Sequence, residues 1–222
     1  GAVDDVIGQQ VLPLIRSGFQ DEACLDSFVE AGPIRFGGIA GGYSGYADQV
    51  LPKGYERQGG WLMWYQGKVT PPRLGRYRFW GYADNHLLVS IDGKPVFEGS
   101  RFSSALRENL DVPRQNHPSF PCLNATAGFA SGVWFEVGSE PVQLDVLFGE
   151  QGGMHTAGIL LIEREREVYE ESYWGQPLWP VFLTEVPVAH ERLQLERVRN
   201  HMESKLMGSF SINSDARWSV CP

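Results

Sequence analysis

The chain has 222 residues, 42% hydrophobic and 12% aromatic, enough for one full core without a disulfide framework. Its formal charge of -8, from 27 acidic against 19 basic residues, would repel a phosphate backbone and argues against nucleic acid as a partner. No apolar run reaches the roughly 18 residues needed to cross a bilayer, so no membrane-spanning segment is expected, and the first residues do not read as a signal peptide.

In chain order, residues 1–35 read as an N-terminal extension. VIGQQVLPLI is interrupted by Pro13, and DEACLDSFVEAG suits a short helix around Leu25 and Phe28 ending at Gly32. The glycine-rich FGGIAGGYSGYADQ that follows predicts irregular backbone. Residues 36–186 then carry short apolar runs punctuated by Gly and Pro, the pattern of an all-β domain. A strand is predicted from Trp61 to Val69. In GRYRFWGYA, Tyr77 and Phe79 alternate with Arg76, Arg78 and Trp80. In HLLVSIDGKPVFEG, Leu87, Val89 and Ile91 share one face, and Asp92-Gly93 is a two-residue hairpin signal. Residues 100 to about 130 lack periodicity and predict a long loop, with a short helix near SSALREN. GVWFEVGSEPVQLDVLFGE predicts a second hairpin: Val133, Phe135 and Val137 alternate with Trp134 and Glu136, as Val142, Leu144 and Val146 do with Gln143 and Asp145. HTAGILLIERE suits a central strand. Residues 187–222 read as a C-terminal extension whose helix carries Leu195, Val198, Met202 and Leu206 at three- and four-residue steps.

The segment GRYRFWGYADNHLLVSIDGKPVFEG, with VWFEVGSEPVQLDVLFGEQGGMHTAGILLIE downstream, resembles the PA14 family over roughly residues 60 to 165. The resemblance implies an antiparallel β-sandwich. It also implies a role for the Asp84-Asn85 corner. In sugar-binding members two adjacent aspartates, joined by a cis peptide, hold a calcium ion that grips sugar hydroxyls. Asp84 matches the first aspartate and Asn85 the second. Asn85 departs from that pattern because it is neutral, and the following His86 is a poor calcium ligand. Read from the residues alone, Asp84-Asn85 is either a ligand site, for calcium or a sugar, or the polar corner of a hairpin, since both residues cap turns through their own side chains.

Trp80 and Trp134 lie opposite the apolar stripes of their segments. They are read either as core residues or as exposed platforms for stacking a sugar. Trp174 and Trp179 are expected to cover an edge of the sandwich. The five histidines show no metal spacing, and no GxSxG, HExxH or P-loop pattern is present, so an enzyme is not expected. Carboxylate pairs for glycoside hydrolysis converge only in space, and no pair stands out here. Asn124-Ala125-Thr126 is a glycosylation sequon. Cys24, Cys122 and Cys221 allow one disulfide with a spare thiol, or three free thiols.

These readings together predict a non-catalytic module that recognises a glycan in an extracytoplasmic bacterial protein, whether periplasmic, cell-surface or secreted. The alternative is a structural or protein-docking β-domain of a cell-surface or envelope protein, with the C-terminal helix making the contact.

Overall fold

A computed structural model of the chain describes residues 6–28, 37–42, 60–101, 104–113, 115–116, 129–151, 157–204 and 208–221. Two antiparallel sheets stack face to face. The first holds β1 (Ala40–Gly42), β10 (Ala157–Arg164), β3 (Gly75–Asp84), β7 (Ala130–Ser131) and β6 (Gln115–Asn116) in that order, with β8 (Phe135–Val137) also paired to β3. The second runs β11 (Ser219–Val220), β2 (Trp61–Thr70), β9 (Val142–Glu150), β4 (His86–Ile91) and β5 (Lys94–Glu98). The expected β-sandwich is therefore the observed architecture.

Period-two alternation decides which side chains meet between the sheets. Tyr77 and Phe79 of β3, Leu87, Val89 and Ile91 of β4, and Val142, Leu144 and Val146 of β9 all enter one core. The opposite faces are not left to water. On the first sheet, Trp80, Tyr82, Ile159 and Leu161 are covered by Trp179, Val181 and Leu183 and by the C-terminal helix α4 (Ala189–Ser204) through Leu195, Val198 and Met202. On the second, Leu88 and Leu147 are covered by the N-terminal helix α1 (Val6–Arg16) and by Leu106 of α3 (Ser104–Asn109). The terminal segments, with α3, thus cover the apolar part of both outer faces, and the apolar stripe of α4 is spent on its own sheet.

Three expectations change. Pro13 does not end the first helix; α1 runs through it. Val11, Leu12, Leu14 and Ile15 are buried while Pro13 stays exposed, so the burial offsets the missing backbone donor, which falls on the solvent side. The expected short helix, α2, covers only Glu22–Leu25 and stops before Phe28, with Asp21 Oδ1 capping Cys24 N at 2.8 Å; its expected end at Gly32 lies outside the described residues. Most notably, the segments predicted as a second hairpin do not pair. β8 joins β3 in the first sheet and β9 joins β2 and β4 in the second. Val137 and Val142 both enter the inter-sheet core, so the strands face each other across it instead of lying side by side. The Asp92-Gly93 hairpin forms as expected, with φ of 50° and 73°. The expected helix near SSALREN and the central β10 strand also form. Cys122, the Asn124 sequon and most of the glycine-rich stretch lie outside the described residues.

One carboxylate sits within the outer face of the second sheet. Gln66, Asp145 and Ser90 lie side by side across β2, β9 and β4, next to the row Trp64, Leu147 and Leu88. Asp145 is 2% exposed. Loss of hydration pushes its carboxyl pKa up from 3.8, against hydrogen bonds from Trp64 and Gln143 that favour the ionised form. A raised folded-state value means that folding favours the protonated form. That stabilisation is complete below the unfolded value and is lost as pH rises through the folded one. Asp145→Asn is therefore expected to be more stable than the parent at pH 7, with the two stability curves converging toward pH 3. Curves that stay parallel in a pH series of urea melts would contradict the assignment.

Candidate functional site

β3 belongs to the first sheet and β4 to the second, and Asn85 alone separates them. The junction is not a hairpin corner; it is the point where the chain crosses between the sheets. The Asp84-Asn85 peptide bond is cis.

Asn85 is tied to both sides of this crossing. Its backbone N donates to Gly149 O at 3.1 Å. Its side-chain oxygen accepts from Gln151 N at 2.9 Å, and its Nδ2 donates to Asp84 Oδ1 at 3.0 Å. Asn85 is 9% exposed, so these bonds satisfy an amide that water barely reaches. It caps the end of β9, a structural use of the side chain that the sequence also allowed.

Asp84 is more open, with 25% of its side chain accessible. Burial raises its carboxyl pKa, and the Arg101 guanidinium opposes that shift. Arg101 Nη1 lies 3.4 Å from Asp84 Oδ2. The segment after β5 delivers it: Ala83 N donates to Gly99 O, Arg101 N donates to Ala83 O at 2.8 Å, and Leu87 N donates to Ser100 Oγ. The chain beside the end of β3 thereby places a guanidinium on the carboxylate. Sequence reasoning passed over Arg101 because it lies 17 residues downstream in a stretch without periodicity.

Calcium does not fit the described residues. It requires several oxygen ligands and a surplus of negative charge. Here one carboxylate faces a guanidinium, the neighbouring amide turns its nitrogen toward that carboxylate, and its oxygen is committed to Gln151. Among the described residues no group of three or more His, Cys, Asp or Glu could hold a metal.

The tryptophans named from sequence are not gathered at this corner. Trp80 is 4% exposed and stacks on Trp179 with ring centroids 4.2 Å apart. Its Nε1 donates to Glu163 at 2.6 Å. Trp134 is half-buried, and the Arg78 guanidinium lies over both indoles, 4.7 Å from Trp80 and 4.4 Å from Trp134. Four residues of strand separate Trp80 from Asp84, roughly 13 Å. Trp179 is buried, whereas Trp174 is 42% exposed. Among the described residues Cys24 and Cys221 are free thiols. Among the described residues no helix is long and apolar enough to cross a membrane.

No protein-family model matches the chain, and no curated protein matches it at a significant level. Among solved structures it is similar to a PA14 sugar-binding domain from an RTX adhesin, at 16% identity and a TM-score of 0.38, over 60% of this chain and 68% of that one. It is also similar to the PA14 domain of the MpAFP antifreeze protein, at 15% identity and a TM-score of 0.42, over 65% of this chain and 72% of that one.

Proposed function

We propose that the protein is a non-catalytic recognition module of an extracytoplasmic protein, and that it binds a glycan at the Asp84 corner by direct hydrogen bonds. One observation carries this reading: a partly open carboxylate, Asp84, stands beside the Arg101 guanidinium at the end of a strand. Together they offer planar acceptors and donors to adjacent sugar hydroxyls, and the Asn85 amide holds the carboxylate in place. The sequence resemblance to PA14 domains agrees with the position of the site. The role that calcium plays in sugar-binding members falls here to the arginine.

The test is a glycan array followed by calorimetry, run with calcium and with chelator. Binding is expected in both conditions with equal affinity. Asp84→Ala and Arg101→Ala are each expected to weaken it by about tenfold or more, since charge-assisted hydrogen bonds contribute about 1.5–3 kcal/mol. Absence of binding in both conditions would sink the proposal. Binding that requires calcium would sink the direct mode.

A further inference from the structure

A second polar cleft lies away from the Asp84 corner, on the outer face of the second sheet. It has a volume of about 340 Å³, at the small end of the range for ligand sites. The turn after α1 forms one wall and the β4–β5 turn another. The two walls meet backbone to backbone: a Cβ on Gly93 would lie 3.3 Å from Gly18 Cα and O. The floor is the polar row of β2 and β9, where Trp64 Nε1 donates to Asp145 Oδ1 at 3.0 Å. Asp92 fixes the rim, since its Oδ1 accepts from Gln143 N at 2.8 Å and its own N donates to Gln143 O at 2.8 Å.

We propose that this cleft binds a neutral sugar unit, with Asp145 and the carboxamides of Gln20, Gln66 and Gln143 supplying its polar contacts. Among the described residues no cation faces this carboxylate, which is 2% exposed and held by hydrogen bonds from Trp64 and Gln143; an acid kept buried on neutral donors alone is costly in a fold, which points to a use beyond packing. Its neighbours in the lining are three glutamines, which offer hydroxyl groups both donors and acceptors. Phe19 and Trp64, stacked at 5.6 Å, give the site an apolar side for ring C–H groups. The ionisable groups of the lining are Asp92 and Asp145, and no basic side chain is among them. Anionic sugars are therefore repelled. A metal ion is disfavoured because one oxygen of each carboxylate already accepts a hydrogen bond.

The experiment titrates the full chain with the methyl glycosides of glucose, galactose, mannose and N-acetylglucosamine, and with glucuronic acid. Calorimetry and tryptophan fluorescence are the readouts. At least one neutral glycoside is expected to bind, and glucuronic acid to fail. Gln66→Ala, an exposed position that leaves folding intact, and Asp145→Asn are expected to weaken binding by about tenfold or more. Asp84→Ala is expected to leave binding at this cleft unchanged. No binding of any neutral glycoside, equal binding of glucuronic acid, or full affinity in Gln66→Ala would overturn the proposal. Affinity lost in Asp84→Ala alone would overturn it too, while upholding the corner as the sugar site.

Discussion

Trp218→Ala is expected to destabilise the protein by about 4 kcal/mol and to lower its melting temperature by roughly 10 °C. Trp218 is fully buried although it lies four residues from the chain end. Its indole enters the inter-sheet core and meets Tyr77 and Phe182 edge-on, at 5.1 and 5.7 Å between ring centroids. Its backbone N donates to Leu183 O at 2.9 Å, which seats the segment against the first sheet. Directly after it, β11 adds itself to β2 of the second sheet. Truncation to alanine opens a large void at the seam between the sheets, where neighbours held in strands have little freedom to close it. Trp218→Phe provides the control. It keeps most of the ring volume and deletes an N–H that has no acceptor among the described residues, so its cost is expected to be about half or less. Equilibrium denaturation of the two variants decides the matter. A cost for alanine below about 1 kcal/mol would show that the terminal segment does not contribute to the core.

The second large effect is expected at Gly81→Ala, with a loss of about 3 kcal/mol. Gly81 lies in the middle of β3, paired with Leu160 of β10 on one side and Ala130 of β7 on the other. A Cβ there would stand 2.0 Å from the Ile159 carbonyl oxygen and 3.3 Å from Leu160 Cα. Both are backbone atoms, so no rotamer change relieves the clash. Relief requires β3 and β10 to part, which breaks ladder bonds on the strand that ends at Asp84. Gly81→Ala should therefore weaken the binding proposed for the corner as well as lowering stability. A variant that melts like the parent would show that the strands are further apart than described.

The alternating strands were readable because each has one face in the core. Tyr77 and Phe79, and Leu87, Val89 and Ile91, announce their pleat through side-chain type alone. The sandwich follows from having several such strands. Partner choice is different. Val133 to Val137 and Val142 to Val146 show the same period whether they pair in one sheet or face each other from two. Nothing local distinguishes a hairpin from an arch, and the arch is what forms. The same gap explains the site. Asp84-Asn85 could be located because the residue types mark a strand junction, but its real partner, Arg101, is set by how the chain returns after β5. The cleft at Asp145 was equally hidden. A polar residue on the outward face of β9 reads as solvated, and only the turn after α1 and the Trp64 indole beside it make it a buried acid. Pro13 shows the converse, a local rule overridden by tertiary burial.

The passage between the sheets through one residue has a mechanical consequence. A linker of many residues would let the layers shear and would let anything mounted on it drift. Asn85, hydrogen-bonded to Gly149 and Gln151 of the facing layer, leaves no slack. A ligand at the proposed Asp84 site would meet a surface already set in its bound shape. Association there should show little ordering entropy and little dependence of the on-rate on loop motion.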